Sequence, residues 1–166
     1  MTGRRSELIA ALEAALPQPR TGLPEDVLQL VSRLAPLVNV DLLINDDQQR
    51  TLLTWRDDDV FGPGWHVPGG IIRYRERAVD RVHACALEEL GADVESEPQP
   101  MFVLESITRA PSRSHHVSLL YRCRLAGALD ETRRAVVDPP LRGQWRWHDR
   151  CPPNLLPEQA PYARFI

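Results

Sequence analysis

The 166-residue chain contains no lysine; all 20 of its basic residues are arginine. A lysine Schiff base and the lysine of a phosphate-binding loop are therefore excluded. Any cationic clamp on a phosphate must use arginine, whose planar fork suits that task. Cysteine is scarce as well. Cys85, Cys123 and Cys151 are odd in number and widely spaced, which argues against a disulfide framework or a structural zinc centre and fits a cytoplasmic protein. Neither sign of charge dominates: the formal net charge is −3, so no broad nucleic-acid or membrane surface is implied. Long apolar runs are missing too. Arg4-Arg5 followed by Leu8 to Leu16 has the look of a secretory signal, but Glu7 and Glu13 interrupt it. The stretch is too short to span a bilayer and reads as a helix. Internal repeats are absent. The length suits one domain with its own core.

What is present divides at about residue 36. Residues 6–16 place Leu8, Ile9, Leu12 and Leu16 at helical spacing, with Ser6 as the expected cap and Pro17-Gln18-Pro19 as the stop. A second helix is expected from Pro24, with Glu25 and Asp26 in its first turn and Val27, Leu30, Val31 and Leu34 as its stripe. Residues 1–35 thus form a helical extension, suited to covering a pocket or to a homodimer contact. Residues 36–166 form the main domain. There, 37–44 and 51–55 read as two strands of a hairpin across Asp46-Asp47-Gln48-Gln49. Asp57-Asp58-Asp59 reads as a solvated loop, and a short strand is expected at 65–67. A helix spans 78–90, with Val79, Val82, Ala86 and Leu90 inward and Gly91 as its stop. Strands follow at 101–108, 115–124 and 144–148, and a helix at 154–165. A mixed sheet with helices on its faces is the expected packing, an α/β class.

The chemistry concentrates around Trp65-His66-Val67-Pro68-Gly69-Gly70 and the helix behind it. Arg81, Cys85 and Glu89 fall on one line of that helix, with Glu88 beside them. A Glu-Glu pair near a helix end is, when seen alone, more often a solvated face. After a Pro-Gly-Gly turn and a further acid at Glu76, the pair suits a magnesium or manganese ion held by hard oxygen donors against a phosphate. Trp65 could stack on a base or sugar, or equally fill the core. His115 and His116 alternate across a strand, so one of them can face a pocket as a base, and Glu105 is a further candidate. Cys85 has acidic neighbours that would raise its pKa, which argues against a nucleophile.

Gly70, Glu76, Ala86, Glu88, Glu89, Gly91 and Ala92 fit the box G-x5-E-x7-R-E-U-x-E-E-x-G-U, and the chain resembles the Nudix hydrolase superfamily. The resemblance implies a Nudix-like α/β/α sandwich with a mixed sheet. Ala84-Cys85 replaces the Arg-Glu pair of the box. A similar alteration marks the GDP-mannose mannosyl hydrolases, which Val40 to Ile44, Leu52 to Arg56, Gly64 to Gly70 and Trp145-Arg146-Trp147 also resemble. That branch substitutes at the anomeric carbon of a nucleoside diphosphate sugar, releasing nucleoside diphosphate and free sugar.

By this resemblance Arg56 contacts the diphosphate and Asp41 the sugar side. Glu89 and the carbonyl of Gly69 hold a single metal, with Glu88 beside them. Ile71 stands where the branch has an arginine. Leu141-Arg142 stands where it has the Gln-His pair that supplies its base, so the base is not carried over. Two other readings stay open: P–O cleavage within the same fold, and a nucleotide-sugar-binding module with weak or no catalysis.

Overall fold

The computed structural model describes residues 2–16, 21–59, 61–109 and 112–166. The expected Pro17-Gln18-Pro19 stop, and Ala110 and Pro111 of the 109–113 connection, lie outside them. Helix α1 is Thr2–Ala15. It starts before Ser6, so Ser6 lies inside the helix and does not cap it. Leu8, Ile9 and Leu12 stay exposed. Helix α2, Glu25–Ser32, follows Pro24 as expected. It buries Val27 but leaves Leu30 and Leu34 exposed.

The strands are β1 Leu37–Ile44, β2 Thr51–Arg56, β3 Gly64–His66, β4 Gly69–Ile71, β5 Val94–Ser96, β6 Phe102–Ile107, β7 His115–Leu125 and β8 Trp145–His148, with helix α3, Ala78–Leu90, between β4 and β5. They form two sheets. The five-stranded one runs β4-β1-β7-β5, with β6 also on β7. It is mixed: β1 and β7 are parallel and the other pairs antiparallel. The three-stranded one, β3-β2-β8, is antiparallel.

The hairpin expected between β1 and β2 does not form. A single bridge at Asn45 and Thr51 joins the two. β1 is filled on one edge by β4 and on the other, along its whole length, by β7. β2 is likewise filled by β3 and β8. Both strands are largely buried on both faces, which suits the centre of a sheet better than a hairpin with one wet face.

β1 divides the interior. Val40, Leu42 and Ile44 pack with Val82, Ala86 and Leu90 of α3. Leu43 points the other way, into a cluster with Leu53, Trp55, Trp65, Val67, Leu120 and Tyr162. Strand alternation puts Leu37, Asn39 and Asp41 on this second side. Helix α3 ends where expected, with Gly91 in the left-handed region (φ 66°) and its N–H donating to the Leu87 carbonyl. The tail, expected as an ordinary helix, is a 3-10 segment, Pro157–Phe165. Pro161 lies inside it and cannot donate the backbone hydrogen bond an α-helix needs there.

Candidate active site

One cleft lies between the two sheets. Its floor is the outer face of β1 and β7: Leu37, Asn39, Asp41, His116 and Ser118. Arg56, Phe61 and His66 come from the second sheet and its loop, Gly69 and Gly70 from β4, and Glu158 and Gln159 from the C-terminal segment.

The Gly69–Gly70 turn has no room for side chains. A Cβ on Gly69 would stand 2.4 Å from the Val40 carbonyl oxygen and 2.6 Å from Asp41 Oδ1. A Cβ on Gly70 would stand 2.9 Å from Cys85 Sγ. The glycines thereby let β4 lie directly on Asp41 and on α3. Glu89, from the last turn of α3, reaches this backbone: the Gly69 N–H donates to Glu89 Oε1 at 2.9 Å.

Glu89 also sits 3.1 Å from the Thr54 hydroxyl, which in turn lies 3.1 Å from His66 Nε2. His66 Nδ1 is 2.8 Å from the Val67 carbonyl, so Nδ1 carries the ring proton. Burial pushes the His66 pKa down to about 3, which leaves Nε2 as an acceptor. A hydroxyl has one proton to give. If Glu89 is ionised, Thr54 donates to it and turns a lone pair on His66. If Glu89 is protonated, the carboxyl donates to Thr54 and Thr54 to His66, and every group is satisfied. Burial pushes the Glu89 pKa up to about 7, opposed by the Gly69 and Thr54 hydrogen bonds and the charge of Arg56. Without a cation upon it, this carboxylate holds its proton close to neutral pH.

Asp41 is the second acid of the site, and is buried where Glu89 is half-buried. Tyr162 donates to its Oδ2 at 2.7 Å. Burial raises its pKa to about 6, while Tyr162, Ser118 and Arg56 pull it down. Arg56 is half-buried, 3.3 Å from Asp58 and stacked over Phe61. Asp58 of the aspartate loop thus holds the arginine rather than standing free.

The other box acids are already partnered. Arg81, almost fully buried, reaches Glu88 at 2.7 Å and Glu76 at 3.9 Å. Arg73 reaches Glu88 at 3.2 Å. Among the described residues no three side chains of metal-ligating type stand together. The donor set therefore fits one hard cation on Glu89, the box acid that has no arginine partner, and not a cluster.

The other residues expected from the sequence are scattered. Trp65 is core, edge-on to Trp55 and His148. Cys85 is buried beneath Gly70, and burial pushes its thiol up to about 12, so it is not a nucleophile. Glu105 is exposed and pairs with His115 at 3.3 Å, outside the cleft. His116 lines the cleft but pairs in register with Leu37, four residues along β1 from Asp41. At roughly 3.3 Å per residue this places it about 13 Å away, at the other end. Tyr162 and Glu158 escaped the sequence reading. A lone tyrosine and a lone glutamate in a proline-rich tail carry no spacing signal.

The sequence pattern of the NUDIX domain matches residues 35–164. The chain is 36% identical over 80 residues to the low-salt glycan biosynthesis protein Agl8 of Haloferax volcanii, a match that covers 48% of this chain and 51% of that protein. The chain thus spans about half the length of that curated relative. Its fold matches a MutT NUDIX hydrolase from Burkholderia pseudomallei with a TM-score of 0.64 at 24% identity, covering 80% of this chain and 98% of the other. A NUDIX hydrolase from Nitrosomonas europaea matches with a TM-score of 0.55 at 17% identity, covering 69% and 72%. With the domain pattern running through both sheets, α3 and the cleft, the chain belongs to the NUDIX domain family.

Proposed function

We propose that the protein is a divalent-metal-dependent hydrolase of nucleoside diphosphate sugars, GDP-mannose-like in class. In this reading water attacks the anomeric carbon, and free sugar and nucleoside diphosphate are released. The observation that carries it is the division of the box acids. Among the described residues Glu89 has hydrogen bonds but no ion pair, and feels the charges of Arg56 and Asp41, while Glu76 and Glu88 are paired with arginine. Sites with two metals clamp both the attacking and the leaving oxygen of a displacement at phosphorus. One cation with one arginine suits a leaving diphosphate alone.

Glu89 and the backbone of the Gly69 turn would hold magnesium, or manganese in its place, the cations that oxygen donors favour, and the cation would supply charge withdrawal from the diphosphate. Arg56 binds the same group from the opposite sheet. Asp41, ionised above about pH 6, faces the positive charge that develops on a sugar during substitution at its anomeric carbon. The glycan role in the name of the Haloferax relative favours a sugar substrate.

Hydrolysis of GDP-, UDP- and dTDP-sugars in oxygen-18 water with magnesium tests the reading. Label on the free sugar supports carbon attack. Label on phosphate replaces it with P–O cleavage. Ligand-induced stabilisation without turnover reduces the protein to a binding module.

A further inference from the structure

Three buried side-chain atoms of cleft residues lack a hydrogen-bond partner among the described residues: Asn39 Oδ1, Arg113 Nε and Glu158 Oε2. Arg113 and Glu158 lie near His116, and Asn39 lies between that end and Asp41, two residues along β1. Asn39 pairs in register with Ser118. Glu158 lies close enough to His116 to act on its charge, and the Arg113 backbone hydrogen-bonds the His116 ring. An orphaned buried polar atom is costly, and a ligand group that satisfies it recovers that cost. Two acceptors and one donor, with a histidine beside them, match the hydroxyls of a sugar, each of which can both donate and accept.

Arg113 is held from outside the cleft. Its Nη2 pairs with Glu25 of α2 at 2.5 Å, and its backbone N–H donates to the Ser32 hydroxyl of the same helix at 3.1 Å. With Nη2 tied to α2, Nε has no partner among the described residues. The N-terminal extension thereby sets the position of a cleft residue 88 positions away in the chain.

We propose that Asn39, Arg113, His116 and Glu158 form the subsite for the sugar hydroxyls, and that helix α2 positions it through Glu25 and Arg113. This rests on the nucleotide-sugar reading above. It makes Glu25 a positioning residue and Arg113 and Glu158 specificity-determining contacts.

The test is calorimetric binding of GDP and GDP-mannose to the full chain, unaltered and as Glu25→Ala, Arg113→Lys and Glu158→Gln, with Tm recorded for each. The unaltered protein binds the nucleotide sugar more tightly than the nucleotide. Each variant loses roughly 3- to 10-fold of that excess, the worth of one hydrogen bond, while its affinity for GDP stays unchanged. Arg113→Lys keeps the charge opposite Glu25 but lacks the Nε donor, so a merely structural role would leave its excess intact. Equal loss for GDP and GDP-mannose, or no loss in any folded variant, overturns the subsite and leaves the substrate class standing. Failure of the unaltered protein to bind any GDP-, UDP- or dTDP-sugar overturns the substrate class and the subsite with it.

Discussion

Replacing Glu89 with glutamine isolates the charge on which the site depends. Burial raises the Glu89 pKa from its usual 4.5 to about 7. At about 1.4 kcal/mol per pH unit, a rise of that size corresponds to roughly 3 kcal/mol. For a carboxylate raised on folding, this contribution is complete below the unfolded pKa and is lost as the pH climbs through the folded one. Metal-free protein should therefore lose roughly 3 kcal/mol from this residue between about pH 4.5 and pH 8.5. The glutamine of E89Q has no proton to lose. Its amide can still accept from the Gly69 N–H and donate to Thr54, as the protonated acid does. Urea unfolding with a chelator should then show the stability of the wild type, relative to E89Q, falling by about 3 kcal/mol from about pH 4.5 to pH 8.5.

Magnesium supplies the second half of the experiment. At 100-fold over its dissociation constant a ligand stabilises by about 2.7 kcal/mol. At about pH 8.5 it should do so in the wild type and not in E89Q, and turnover should be lost with it. Parallel pH profiles for the two proteins, or equal stabilisation of both by magnesium, would refute the assignment of Glu89 as a half-buried, proton-holding metal ligand.

Glu88→Gln should leave most activity but cost about 1–3 kcal/mol of stability, because the almost fully buried Arg81 loses its nearest carboxylate; a loss of turnover matching that of E89Q would sink this division of the acids. Gly69→Ala should destabilise by about 1–3 kcal/mol in urea, since its Cβ would meet the Val40 carbonyl oxygen at 2.4 Å. Tyr162→Phe removes a hydrogen bond that lowers the Asp41 pKa, so the acid limb of the pH–rate profile should move to higher pH; an unmoved limb would remove Asp41 from the chemistry. Native Cys85, with its thiol pushed up to about 12, should resist thiol reagents that label the half-exposed Cys151, as mass spectrometry of alkylated protein would show.

Helix α3 was legible in the sequence because its signals are local: the 3.6-residue apolar spacing and the terminal Gly91. The glycine turn and the Glu88–Glu89 pair were legible for the same reason. The partition of the strands was not. Nothing in residues 37–55 distinguishes a hairpin from two strands that enter different sheets, because both place apolar residues next to a turn. That choice belongs to β7, whose parallel pairing along β1 involves residues about 80 positions away.

The sequence by itself determined that any phosphate clamp is arginine, that a Pro-Gly-Gly turn precedes a helix ending in two acids, and that one box position holds cysteine in place of a carboxylate. Tertiary structure gave the two adjacent acids different surroundings. Adjacent helix residues point about 100° apart. Packing of α3 on the sheet therefore set Glu89, half-buried, against Gly69 and left Glu88 exposed to Arg73 and Arg81. It also brought Asp41, Tyr162, Glu158 and Arg113 to one cleft from distant parts of the chain. No spacing rule relates those four residues; they meet because β1 and β7 lie side by side and the tail folds back over the face they share.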